Sequence, residues 1–277
     1  MKSSNQQVLD SLTIDLRKMG IKKGDFLIVH CSFKALGLKD GTPEDVIHAF
    51  LKILGPEGTL MMPTFTYSYS GIWKVVPYNP ATTPGVKNGV LTETLRQYPG
   101  ALRSGHPTYS IAAYGRYAGQ LTKNKENASA LGIGSSYDEA SRLDAKILLI
   151  GVGNNRNSML HYAEVVAGLP YNDIPFREFW GRTALIERDG HSIEAPLKFE
   201  FPGCSANFGI ADTYLTARGI LQRGKVGLAE SMLMNSRELI AAVVKKLQAE
   251  PAWLLCDHFI CEPCSLRKRR LREKGLL

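Results

Sequence analysis

AKILLIGVGNNRNSMLHYAEVVAG, residues 145–168, runs from an apolar stretch through a glycine-punctuated turn straight into a helical pattern. The stretch AKILLIGVG predicts a central strand of a sheet covered on both faces, because its apolar residues continue without polar alternation. Beyond it, Asn157, His161, Glu164 and Gly168 recur at spacings of four, three and four, which sets them on one face of a helix starting near Asn157. Leu160, Ala163, Val166 and Ala167 are apolar or small and suited to packing on the sheet. An imidazole one turn from a carboxylate is what a general base needs, since the carboxylate orients the ring and raises its basicity. A satisfied core or surface histidine beside an incidental glutamate is the plain alternative. The location weighs against it, because ligands of open α/β sheets bind at the carboxyl ends of strands.

Upstream, Val8, Leu9, Leu12, Leu16 and Met19 predict an amphipathic helix over residues 4–19, stopped at Gly20. DFLIVH, 25–30, reads as a buried strand. In TPEDVIHAFLKILGPEG, Thr42 is an N-cap, Pro43 takes the first helical position and Gly55 closes the helix. GTLMMPTFT is a second strand, halted by Pro63. Strand, loop, helix and strand in this order predict an α/β fold with a central sheet flanked by helices and right-handed crossovers. Residues 70–89, SGIWKVVPYNPATTPGVKNG, form a long breaker-rich loop before a short helix over 91–98, and long loops in compact domains are often functional. ALIERDGHSIEAPLKFEF carries a hairpin signal at Asp189-Gly190, and a last helix covers 236–248. With no repeat and no linker, a single domain over 1–250 is expected, followed by a short cysteine-containing basic extension over 251–277.

With 277 residues, 44% hydrophobic and 22% charged, the chain can bury a large core. No stretch approaches the roughly 18 apolar residues of a membrane span, and the polar start lacks a secretory core, so a cytoplasmic protein is expected. Five cysteines then imply reduced thiols rather than a disulfide framework. Of the net charge of +8, RKRRLREK (267–274) contributes six basic minus one acidic residue, or +5, leaving the body near +3. This excludes a broad nucleic-acid face and reads as a solvated tail, while the mildly positive body suits an anionic ligand such as CoA. In CDHFICEPC, Cys256, His258, Cys261 and Cys264, or three of them with Cys204, could ligate zinc. Four ligands within nine residues are cramped and a second CxxC pair is missing, so free or buried thiols are favoured and no metal is assigned. Cys31 and Cys204 read as small packing residues.

The turn VHCSFKALG, 29–37, follows a strand and offers Ser32, Phe33 and glycine-flanked amides of the kind that hold phosphate or pantetheine oxygens. Its glycine spacing fits neither a dinucleotide fingerprint nor a P-loop. Taken together, VHCSFKALG, GPEGTLMMPTFT, RSGHPTYSIAAYG, LLIGVGNNRNSMLHYAE, GCSANFG and GKVGLAESMLMNSRELI resemble, in order and spacing, the aminoglycoside 3-N-acetyltransferase family over about residues 5–248. The resemblance implies an acyl-CoA-dependent N-acyltransferase of the antibiotic N-acetyltransferase fold, a single α/β domain with a central mixed sheet flanked by helices, distinct from the histone-acetyltransferase type. It implies that His161 is the catalytic base and Glu164 its orienting acid. It also implies that His30, Ser32, Phe33 and Gly37, with Arg103, Ser104 and His106, lie along CoA, although His106 before Pro107 could equally brace a turn. Thr64 or Thr66 resembles the family's oxyanion donor; plain turn residues are the alternative.

Where resistance enzymes often read GVGH, this chain has Asn154, so a group on the substrate side has changed. Asn154, Asn157, Tyr67 and Trp73 form the expected substrate-side set. The loop GIWKVVPYNP is aromatic and carries Lys74 rather than the carboxylates that attract a polycation. This favours the 3-amino group of a nucleotide-linked 3-amino-deoxyhexose as acceptor, with an aminoglycoside as the alternative. The acyl length stays open, and the resemblance permits a homodimer without requiring one. A nucleic-acid-binding protein built on the cysteine knuckle and basic tail leaves the HxxE segment unexplained, and an inactive family fold is at odds with an intact pair.

Overall fold

The computed structural model describes residues 4–198 and 202–277. It opens with α1 (Ser4–Lys18), β1 (Phe26–Cys31), α2 (Pro43–Leu54) and β2 (Thr59–Pro63). α2 starts as the TPED sequence dictates: the Asp45 N–H donates to Thr42 Oγ1 at 3.2 Å and the Thr42 N–H to Asp45 Oδ2 at 2.8 Å, a closed capping box. Then come α3 (Val90–Gln97), β3 (Leu102–Arg103), β4 (Ile111–Gly115), α4 (Ala118–Thr122), α5 (Ser136–Arg142), β5 (Lys146–Ile150) and α6 (Ser158–Val166). β6 (Thr183–Arg188), β7 (His191–Pro196), α7 (Ala211–Thr216), β8 (Gln222–Val226), β9 (Ala229–Asn235), α8 (Ser236–Ala249) and α9 (Glu262–Glu273) complete the described elements.

The main sheet has the order β3-β4-β2-β1-β5-β9-β8. β2, β1 and β5 are parallel and the outer pairings antiparallel, so the sheet is mixed, as expected. Period-two alternation divides the core into two layers. Ile28, Met61, Ile147 and Leu149 face a layer built with α5, α6 and α8, whereas Leu27, Val29, Leu148 and Ile150 face one built with α1, α2 and α3. Because β1 and β5 run side by side in register, Cys31 opposite Ile150, their carboxyl ends deliver residues 31–37 and 151–157 to one edge. Gly151 makes the approach feasible: at φ 62° an added Cβ would lie 2.3 Å from Ala35 Cβ.

Asp189 and Gly190, at φ 52° and 74°, make the expected hairpin turn between β6 and β7; of that stretch, residues 199–201 lie outside the described residues. This hairpin holds the long 70–89 loop through bridges of Tyr69 to Ala184 and Tyr78 to Ile186. One expectation is overturned outright. Residues 267–274 are not a solvated tail, because α9 packs Cys264 and Leu271 into the same layer as α6 and α8 and buries Arg267 to 1% exposure. Among the described residues no helix is long and apolar enough to cross a membrane.

Candidate active site

α6 begins at Asn157, whose side chain accepts the Met159 N–H at 3.1 Å as N-cap. The cap is itself held: Asn157 Nδ2 donates to Asn154 Oδ1 at 2.8 Å, and Asn154 Nδ2 donates to Asp212 Oδ1 of α7 at 2.8 Å. The first turn of α6 is thereby fixed, and one turn later His161 Nδ1 stands 2.7 Å from Glu164 Oε2. The imidazole is 11% exposed and the carboxylate 3%. With Nδ1 committed to the carboxylate, Nε2 is the ring nitrogen left for a substrate. Phe208 packs on the ring, centroids 4.6 Å apart, and limits its rotation.

The second carboxylate oxygen of Glu164 is also occupied. Tyr171 Oη donates to Oε1 at 3.4 Å, and Arg267 Nη1 of α9 forms an ion pair with it at 3.6 Å. Arg267 is anchored by a 2.7 Å hydrogen bond to the Ile174 carbonyl and lies over the Tyr171 ring, 5.0 Å from its centre. Arg267 and Tyr171 thereby fix the position of the carboxylate that orients the His161 ring.

His161 faces a cleft of about 440 Å³ at the carboxyl ends of β1 and β5. His30, Ser32, Tyr67 and Asn157 line it too, so five residues expected from the sequence converge there. Burial, followed by the Arg156 charge, lowers the His30 pKa to about 4, so His30 is neutral at physiological pH. Its Nε2 is buried without a hydrogen-bond partner. Burial raises the Cys31 thiol to about 12, which withholds the thiolate that an acyl-carrying nucleophile needs.

The structure gives other expected residues different work. Thr66 Oγ1 donates to the Pro107 carbonyl, while Thr64 Oγ1 is shared among Ser110 Oγ at 3.1 Å and Arg103 Nε at 3.2 Å; neither threonine lines the cleft as an oxyanion donor. Arg103 is consumed in the same knot, donating to the Thr64 carbonyl at 2.9 Å and to the Thr83 carbonyl. Ser104 is fully buried and accepts the Ile111 N–H at 3.0 Å. His106 braces its turn, Nδ1 accepting from Thr108 N at 3.2 Å and Tyr109 N at 3.0 Å, with burial lowering its pKa to about 4. Phe33 packs on the α1–α2 layer, and Gly37 (φ 65°) is pressed against Leu228. Asn154 belongs to the cap network rather than the substrate side. Trp73 is 87% exposed and outside the cleft.

The aromatic wall is built by Trp180 instead, with Tyr67 at 5.5 Å and Tyr69 at 5.0 Å between ring centres. Phe176, Tyr109, Asn155, Arg156 and Lys87 also line the cleft and were not singled out in the sequence. The cluster IPFREFW, 174–180, was the available signal: three aromatics between a helix and a hairpin. Among the described lining residues the charged side chains are Arg156 and Lys87, and no carboxylate is present.

A buried imidazole–carboxylate pair at the rim of an α/β sheet, facing a cleft with positive charge, is the arrangement of a general base beside a site for an anionic ligand. Residues 28–248 match the family described as Aminoglycoside 3-N-acetyltransferase. A curated aminoglycoside N(3)-acetyltransferase III from Salmonella sp is 38% identical over 262 residues, covering 86% of this chain and 90% of its own length. Aminoglycoside N(3)-acetyltransferase IV from Salmonella sp is 32% identical over 237 residues, 85% of each chain. Among solved structures, the apoenzyme of aminoglycoside acetyltransferase AAC(3)-IVa superposes with a TM-score of 0.83 at 30% identity, over 95% of this chain and 96% of its own. AAC-IIIb in a binary complex with CoASH gives 0.77 at 26% identity, over 87% and 96%. This chain is a member of the aminoglycoside 3-N-acetyltransferase family.

Proposed function

We propose that this chain transfers an acetyl group from acetyl-CoA to the 3-amino group of an aminoglycoside, with His161 as general base. The observation that carries the reading is the 2.7 Å bond from His161 Nδ1 to Glu164 at the wall of the cleft. The amine nitrogen attacks the thioester carbonyl, the new C–N bond forms, the C–S bond breaks with its electron pair on sulfur, and the amine proton passes to His161 Nε2. Glu164 stabilises the imidazolium that results, and the thiolate of CoA can take up that proton on leaving. The step is a direct transfer with no covalent enzyme intermediate, and the burial that raises the Cys31 pKa is in keeping with it. Arg156 and Lys87 supply positive charge suited to the phosphates of CoA. Relatives whose names carry aminoglycoside acetylation, and a similar structure in complex with a gentamicin, support an aminoglycoside as acceptor.

The nucleotide-linked amino sugar expected from the sequence is the second reading, and one observation favours it: the absence of a carboxylate among the described cleft residues. Thiol release from acetyl-CoA, measured on gentamicin, on apramycin and on a dTDP-linked 3-amino-3,6-dideoxyhexose, decides between them. Turnover on the aminoglycosides that disappears in His161→Ala supports the proposal. Turnover on the sugar nucleotide alone transfers the assignment to the second reading.

A further inference from the structure

Four of the five cysteines, Cys204 and three within residues 256–264, meet in space. The Sγ atoms of Cys204, Cys256, Cys261 and Cys264 all lie within 4.8 Å of one another, with Cys204 and Cys256 at 4.0 Å. A zinc ion held by four thiolates at about 2.3 Å sets a tetrahedron whose edges are about 3.8 Å, so the sulfurs stand within roughly 1 Å of ligating positions. A disulfide would need one pair to close to about 2.05 Å and would leave two thiols facing it. The donors come from three separate places: the loop ahead of α7 (Cys204), the segment after α8 (Cys256) and the start of α9, where Cys261 is the N-cap and Cys264 lies in the first turn. Surrounding groups suit thiolate charge. The Ala206 N–H donates to Cys204 Sγ at 3.3 Å, the positive end of the α9 dipole points at the cluster, and Lys268 Nζ binds the Cys256 carbonyl at 2.8 Å. His258, a ligand candidate in the sequence, is exposed and outside the group.

We propose that Cys204, Cys256, Cys261 and Cys264 form a structural zinc site that fastens the C-terminal helix to the catalytic body. The site grips both sides of one guanidinium. Arg267 follows Cys264 by three residues on α9, and Gly203, next to Cys204, lies so close that an added Cβ would sit 2.5 Å from Arg267 Cζ. Zinc thus holds the arginine that ion-pairs with Glu164, and Arg267 is a positioning residue acting through that carboxylate. The positioning part rests on the proposed role of His161 and Glu164; metal binding does not.

The test uses the full-length chain, purified under reducing conditions without a metal-affinity resin. Elemental analysis is expected to find about one zinc per chain, as for a closed four-cysteine site. Cobalt exchanged into the wild-type protein should show thiolate-to-cobalt charge-transfer bands and the intense visible bands of a tetrahedral centre, a readout that needs no variant to fold. The double variant Cys261→Ser, Cys264→Ser should lose metal by about tenfold or more, ligands being the whole basis of affinity. Failure to bind zinc or cobalt after reconstitution, or a thiol titration that reveals a disulfide in this cluster, overturns the site. Zinc removal by a chelator should lower kcat while leaving the KM for acetyl-CoA within about twofold, since Arg267 acts on the base and not on CoA. Unchanged kcat overturns the positioning role alone, and a fully active His161→Ala with zinc bound refutes the base assignment instead.

Discussion

At the scale of single residues, the proposed chemistry depends on one ring nitrogen, Nε2 of His161. His161→Ala should lower kcat by roughly 10²–10⁴-fold, the usual contribution of a positioned base, and cost about 1–3 kcal/mol of stability, because the ring packs on Phe208 and its loss leaves one oxygen of the buried Glu164 without its partner. Buried imidazoles elsewhere have a thermodynamic consequence. His30 and His106 are each lowered from 6.5 to about 4 by burial. Between these values the unfolded chain binds protons that the folded chain refuses, so stability is complete above pH 6.5 and falls as pH drops toward 4, by about 3 kcal/mol for each histidine. Urea midpoints at pH 7, 5.5 and 4.5 should show this loss, and His106→Asn, which keeps an acceptor for the Thr108 and Tyr109 amides, should show roughly half of it. That His161 and Glu164 meet was legible because helical spacing is local. Thr64, Thr66 and Arg103 were not, since whether a hydroxyl or guanidinium reaches a cleft depends on partners such as Pro107, Ser110 and Thr83, which position after a strand cannot reveal.

Elements differ in how openly they declare themselves. α2 announces itself through TPED, and the β6–β7 hairpin through Asp189-Gly190, because caps and turns are chosen by local backbone needs. β8 stayed hidden: QRGKV is an edge strand with Arg223 and Lys225 turned to water and only Val226 buried. α9 was hidden for the opposite reason. Its buried face runs Cys264, Arg267, Leu271, at spacings of three and four, but a guanidinium occupies the position where an apolar side chain would identify the stripe. The most informative element to perturb is α6. Asn157→Ala should cost about 1–2 kcal/mol through the lost cap, and more in kcat than an ordinary surface change, because the first turn that aims His161 is released. Asn157→Asp, which retains the capping oxygen but sets an acceptor against Asn154 Oδ1, should recover only part of the melting temperature in differential scanning calorimetry.

The whole molecule is one unit in which the last 27 residues, expected as an appendage, complete a core layer. Leu254, Leu255, Cys264 and Leu271 are each at most 3% exposed and pack with residues of α6 and α8. Removing 252–277 strips several large buried side chains, at roughly 2–3 kcal/mol apiece, from a fold whose net stability is of the order of 5–15 kcal/mol. The truncated chain should therefore bind ANS and lose its cooperative thermal transition; a sharp transition near the wild-type midpoint would refute this view of the core.

The ion pair between Glu164 and Arg267 also imposes an order in time. Arg267 follows Glu164 and every strand of the main sheet in sequence, so during synthesis the sheet and α6 are made before the arginine that ion-pairs with Glu164. Until α9 has been made and has docked, Glu164 has no Arg267 to pair with. A chain that stops short of α9 keeps every described residue of the cleft and still lacks the positive charge beside Glu164.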